Sequence, residues 1–272
     1  MIGQERLIGM FTVMIANGEF PRFCILTGAK GCGKKTISKW IVDKLKMVSY
    51  TLPDIKIDTI RQMIDTSYKA TDPIVYLIQD ADSMSVQAKN SLLKITEEPP
   101  NNAYFIMTLE SPEMTLDTIR SRAAIFQLDN YSIDEISQYA KRVYKATAQE
   151  LDIIKAICDV PGDVDALYES KPVEFYNYVE KVVDNIEEVE GANAFKIADK
   201  LALKQDSEGY DVKLFLRAFM AICVNRMKEE PLRYATGTSI TSKYINQLGI
   251  RGVSKQMLID SWILEIRKYW MR

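Results

Sequence analysis

The stretch Gly28-Ala29-Lys30-Gly31-Cys32-Gly33-Lys34-Lys35-Thr36 has the glycines and the lysine of a phosphate cradle. Backbone N–H groups of such a turn, together with the first turn of a following helix, point at phosphate oxygens. Gly28, Gly31 and Gly33 let the chain curl with positive φ and approach a ligand closely. Lys34 is placed to reach the outer phosphates. The next position normally carries a Ser or Thr hydroxyl that holds Mg²⁺. Here it is Lys35, and Thr36 follows one residue later, roughly 100° further around a helix. Gly28, Gly31, Gly33, Lys34, Lys35 and Thr36 are therefore the candidate nucleotide-phosphate residues. The plain alternative is a glycine-rich turn followed by lysines on a solvated helix start.

A phosphate-loop ATPase also needs an acid at the end of a second strand to hold the metal. The run Ile74 to Pro100, IVYLIQDADSMSVQAKNSLLKITEEPP, offers Asp80 and Asp82. Spacing alone does not separate a metal site from two solvated carboxylates. There is no histidine in the chain, which removes the commonest general base and metal ligand. The four cysteines are far apart and form no C-x-x-C pair, so neither a zinc ribbon nor a disulfide framework is expected.

The elements that must position these residues follow from hydrophobic periodicity. Helical spacing covers 4–15, 36–47, 53–67 and 85–96. Short apolar runs bounded by turn residues predict strands at 23–27, 74–78, 103–109 and 125–128. The glycines thus join a strand to a helix, the context a phosphate loop requires. A short helix is expected between 111 and 120. Strands alternating with helices predict a parallel, layered α/β sheet. After Asp129 only helical patterns remain: 132–145 with Ser132 and Glu135 as a capping box, 149–160, 162–169, 173–190, 192–205, 209–229 and 253–271. The expected organisation is an α/β domain at 1–128, a small helical domain at 129–172 and a second helical domain at 173–272. The 272 residues carry a net charge of -2, so nucleic acid would have to be met through a local patch or through partners. No apolar stretch reaches the roughly 18 residues of a membrane span, and the start MIGQERLIGM lacks a secretory pattern. A cytoplasmic, non-membrane protein is the expectation.

Three stretches carry a family resemblance: IKIDTIRQMI at 55–64, YLIQDADSMSVQAKNSLLKITEEPP at 76–100 and AYFIMTLESPEMTLDTIRSRAAIFQL at 103–128. They resemble the AAA+ subunits of the bacterial clamp loader, most of all the delta-prime subunit of DNA polymerase III, in a bacterial or phage form. The resemblance covers 2–128 strongly and weakens over 129–170; 175–272 is similar only in being helical. It implies an AAA+ P-loop domain, a helical lid and a helical collar for oligomerisation. Aligned on Asn90 to Lys94, Gln79 takes the place of the magnesium-holding aspartate and Asp80 that of the adjacent glutamate. Thr108 falls at the sensor position of the third strand. The lid arginine that active subunits present to the phosphates is replaced by Asp165 in PGDVDALYES. Ser121-Arg122 preserves the Ser-Arg pair whose arginine, in the family, reaches a neighbour's ATP site; Arg120 is the fallback.

The resemblance therefore implies a subunit that does not hydrolyse ATP, with ATP or ADP held without turnover and no zinc, since the segment that carries a zinc module in many relatives is very short here. It implies partners: ATPase subunits, a clamp-opening subunit, the sliding clamp and primer–template DNA. Arg61, Ser85 and Lys89, near the starts of the helices that face DNA in the family, are candidates for phosphate contact, with solvated surface as the equal alternative. Two other readings stay open: an active AAA+ ATPase in which Thr36 and Asp80 hold the metal, as in a clamp-loader motor or helicase loader, and a pure scaffold.

Overall fold

A computed structural model describes residues 2–187, 196–203, 208–248, 250 and 252–271. The chain divides into two compact units, Met1–Tyr131 and Ser132–Arg272.

The first unit is built on a five-stranded sheet: β1 (Phe23–Thr27), β2 (Val48–Thr51), β3 (Ile74–Ile78), β4 (Ala103–Leu109) and β5 (Ala124–Gln127), in the order β2-β3-β4-β1-β5. Every pairing is parallel, with Leu26 opposite Thr108 on one side and Phe126 on the other. All residues of β1 and β4 are buried, which is why those strands read as unbroken apolar runs rather than alternations. Parallel strands need crossovers, and these are helical: α1 (Glu5–Ala16) before the sheet, then α2 (Lys34–Leu45), α3 (Ile57–Lys69), α4 (Val86–Ser91), α5 (Leu93–Glu97) and α6 (Asp117–Arg120). One face of the sheet buries Ile25, Tyr76, Ile78, Phe105 and Met107 against Ile60, Met63, Leu92 and Ile95. Each such side chain contributes about 1.5–3 kcal/mol on leaving water. The Tyr76 and Phe105 rings stack at 5.4 Å, joining β3 to β4.

Two sequence expectations are corrected in this unit. The sheet has five strands, not four: β2 is four residues long and exposed throughout, so it carries no buried run to reveal it. The single helix expected over 85–96 is two helices meeting at Leu92, whose N–H bonds the Lys89 carbonyl in a tightened turn.

The second unit is helical: α7 (Ile133–Tyr144), α8 (Ala148–Ile157), α9 (Pro161–Glu169), α10 (Pro172–Asn185), the single turn α11 (Lys196–Asp199), α12 (Val212–Arg226), α13 (Pro231–Gln247) and α14 (Lys255–Trp270). The Ser132–Glu135 capping box is formed, and Thr147 and Glu150 make a second one on α8. The helix expected over 192–205 is corrected: residues 192–195, 204 and 205 lie outside the described residues, and within 196–203 only the turn Lys196–Asp199 is helical, because Leu201 leaves it to form a bridge with Tyr210. Helix α13 was not expected at all. Its buried positions, Tyr234, Gly237, Ile240, Thr241 and Tyr244, keep helical spacing but are mostly polar or small. Trp262 lies at the centre, edge-on to Phe219 at 4.8 Å, with its Nε1 donating to Thr241 Oγ1 at 3.1 Å. At Gly237 the helices close up: a Cβ there would lie 2.6 Å from Trp270 Cζ2 and 3.2 Å from Cys223 Sγ. Asp163, buried on α9, bonds Lys213 Nζ at 2.9 Å and Arg217 Nη1 at 3.2 Å on α12, and Asp159 pairs with Arg217 beside it.

Candidate functional site

The loop between β1 and α2 has the expected shape. Gly28, Gly31 and Gly33 have φ of 150°, 84° and 95°, all in the region that favours glycine. A Cβ at Gly28 would lie 2.9 Å from Cys32 Sγ and 3.3 Å from Leu128 Cβ, so the close turn depends on its absence. No side chain caps α2, whose N-cap is Gly33. Its first-turn N–H groups have no partner within the helix, as a phosphate cradle needs. Lys34 is buried and folds back, Nζ donating to the carbonyls of Gly28 at 2.5 Å and Ala29 at 2.9 Å. Burial pushes the Cys32 thiol up. Tyr131 closes one side, its hydroxyl donating to the Cys32 carbonyl at 2.9 Å.

The second half of the site comes from the ends of β3 and β4. Asp80 follows β3 in a left-handed conformation, φ 51°. Its N–H donates to the Oγ1 of buried Thr108, at 2.9 Å. That turn aims the carboxylate at α2, and Lys35 Nζ lies 2.5 Å from Asp80 Oδ2. Asp82 is occupied elsewhere, accepting from the Glu110 N–H at 2.7 Å. Gln79 is half-buried and Thr36 exposed. A P-loop protein would hold Mg²⁺ between the loop helix and this strand end. The donors present do not fit it: Lys35 directly follows Lys34, Gln79 directly follows β3, and Asp80 is taken up by Lys35. Mg²⁺ demands an oxygen shell. Among the described residues no group of three His, Cys, Asp or Glu side chains could hold a metal ion.

Arg122 stands apart from the loop residues, just after α6. Its Nη1 donates to the Thr118 carbonyl at 2.9 Å, and its Nε lies 3.0 Å from Glu97 Oε1 at the end of α5. Its side chain is 40% exposed, so the guanidinium keeps donors on the outer surface. Both an outward-facing and a helix-capping arginine are thus embodied in one residue. Arg120 pairs with Asp117 on its own helix. Of the three candidate DNA contacts, Arg61 is exposed and Ser85 caps α4 by accepting from the Ala88 N–H. Lys89 is corrected: it is buried, with its ammonium on the Met114 carbonyl, and is not a surface cation.

In the helical unit Asp165 accepts from the hydroxyls of Tyr139 and Tyr144 at 2.8 and 2.9 Å. Burial, then that bond to Asp165, pushes the Tyr144 hydroxyl up to about 12. Asp165 is therefore bound within its own unit. Sequence reasoning missed Tyr131 and Glu97 as site residues, and missed that Lys35 and Asp80 meet. Tyr131 gave no signal, lying between a strand and a helix cap. Glu97 stood only as one letter of the run Ile74 to Pro100, one residue past the expected helix 85–96.

The sheet order, the loop after β1 and the acid after β3 define the AAA+ P-loop fold. Solved structures agree: a DNA polymerase III gamma subunit-related protein from Thermotoga maritima superposes with a TM-score of 0.53 at 15% identity, covering 96% of this chain and 99% of that one. The Thermotoga maritima RuvB Holliday junction branch migration motor gives 0.51 at 14%, covering 96% and 88%. Sequence likeness narrows the relatives. The family described as DNA polymerase III, delta subunit, matches residues 43–132. DNA polymerase III subunit gamma of Buchnera aphidicola subsp. Schizaphis graminum is 27% identical over 191 residues, 58% of this chain and 53% of its own length. Replication factor C subunit 4 of Encephalitozoon cuniculi is 23% identical over 233 residues, 74% and 75%. The chain is thus similar in sequence to DNA polymerase III gamma subunits and to a replication factor C subunit, and it spans about half the length of the gamma relatives it matches. The delta-prime assignment is not singled out, since the relatives are named as gamma and replication factor C subunits. No helix among the described residues is long and apolar enough to cross a membrane.

Proposed function

We propose that this chain is a delta-prime-like, non-hydrolysing subunit of a clamp loader, which gives Arg122 to the ATP site of a neighbouring subunit. The observation that carries the reading is the Lys35–Asp80 pair. It fills the place of the metal and neutralises the acid that would act beside it, while the loop backbone and Arg122 are kept. Without metal or a water-positioning carboxylate, little is left to stabilise charge on a transferring phosphoryl group. An arginine supplied in trans needs none of those parts. Its partners in this reading are the ATPase subunits, a clamp-opening subunit, the sliding clamp and primer–template DNA, met as an assembled ring.

Arg122 leaves Glu97 when it turns to a neighbour's γ-phosphate, exchanging an exposed pair worth about 1 kcal/mol or less for a charge-assisted bond in a water-poor site. The test is steady-state ATP hydrolysis by the reconstituted loader with primed DNA and clamp. Arg122→Ala is expected to lower the rate about a thousandfold at the one affected site, within the range known for arginine fingers. Arg122→Lys recovers little, because lysine lacks the planar fork. Arg120→Ala stays near wild type. If Arg122→Ala matches wild type, the subunit is a scaffold; Mg²⁺-dependent turnover by the isolated chain, abolished by Lys34→Ala, would make it a motor.

A further inference from the structure

The strand-end pair has a consequence for the ligand of the loop. We propose that Lys35 serves as a built-in substitute for Mg²⁺, and that the loop takes a nucleoside diphosphate or triphosphate without a divalent metal. The inference deepens the reading of the loop given above and is independent of Arg122.

In metal-dependent relatives of the fold, the ion bridges the β- and γ-phosphate oxygens from between the loop helix and the second strand end. Lys35 Nζ occupies that interval, fixed by Asp80, which is itself fixed through Thr108. An ammonium has three donors. Asp80 uses one direction, and the Lys35 side chain is 53% exposed, so the remaining donors are open to phosphate oxygens. Lys30, Lys34 and Lys35 against Asp80 and Glu110, whose charge reaches Cys32, leave the loop with a net charge of three minus two, or +1. That suits a polyphosphate anion but repels a divalent cation. A Mg²⁺-complexed nucleotide would bring its charge against Lys35, so magnesium competes with the site instead of completing it. If Lys35 takes the place of an ion between the second and third phosphates, its partner Asp80 brings a like charge near the third. A diphosphate therefore binds at least as well as a triphosphate, the reverse of what a metal-bridged site favours.

Isothermal calorimetry of the full chain with ADP and ATP, in EDTA and in excess Mg²⁺, decides the matter. ADP is expected to bind in EDTA, with ATP no tighter, and excess Mg²⁺ to leave the Kd unchanged or raise it. Lys35→Ala is expected to weaken ADP in EDTA about fivefold or more, a loss near 1 kcal/mol by the affinity relation. The ligand-free melting temperature of that variant should stay close to wild type, since the pair is exposed. Tightening of wild-type binding by Mg²⁺ of about tenfold or more would overturn the proposal. So would an absence of binding by either nucleotide in EDTA, or an unchanged ADP affinity in Lys35→Ala. None of these results bears on a neighbour's hydrolysis rate, so the arginine reading stands or falls separately.

Discussion

Two ion clusters, one in each unit, have similar membership and opposite character. Lys35 and Asp80 meet at the surface, their side chains 53% and 62% exposed. Asp163 with Lys213 and Arg217 meets inside the helical unit, where Asp163 and Arg217 are 10% and 18% exposed. Water competes for the first pair, so it does little for stability and is available to a ligand. The second has lost most of its water at Asp163 and Arg217, while Lys213 stays 36% exposed. The two buried members each add a bond to the backbone: Asp163 accepts from the Asp159 N–H and Arg217 donates to the Ile157 carbonyl. A salt bridge seen by distance alone thus says nothing about its work; the degree of desolvation does.

The sharpest way to break that contrast is Asp163→Ala. It removes the acid that Lys213 and Arg217 share, while Arg217 keeps Asp159, and should cost about 3 kcal/mol in urea denaturation, the low end for a broken buried pair. A loss under about 1 kcal/mol would put the two clusters in the same class. Next in size is Gly237→Ala, which adds no charge and tests packing in the same unit. The new methyl must displace the Trp270 ring, and a cost of about 1–3 kcal/mol is expected from the same measurement. Smallest is Asp80→Ala, which should change stability by no more than about 1 kcal/mol. A larger loss would mean that the strand-end pair is structural after all.

Much of the sheet unit was legible in the sequence because its elements are buried on both faces. The strands at 23–27, 74–78 and 103–109 end where the apolar runs end. What escaped was exposed or chemically disguised. The edge strand β2 has four exposed residues and no pattern to detect. Helix α13 packs with glycine, threonine and tyrosine on its inner face, so a count of apolar residues passes over it even though the spacing is helical. At the site, Lys35 and Gln79 were visible as departures from an ATPase. Their meaning was not, because the partner of Lys35 stands 45 positions along the chain and is brought to it only by the left-handed turn at Asp80. Lys89 failed as a surface cation for the converse reason: a long side chain near a helix start can turn inward to a carbonyl as readily as outward.

The close approach at Gly237 also constrains how this sequence can drift. The ring of Trp270 stacks on Phe219, and its Nε1 donates to the Arg233 carbonyl, so the tryptophan is held from two sides and steps back from the glycine only by straining both contacts. Positions 237 and 270 are therefore not independent letters. A descendant that gains a side chain at 237 must first or simultaneously trade the indole at 270 for something smaller, and one that keeps the indole is confined to glycine. In an alignment of close relatives the two columns should change together or not at all.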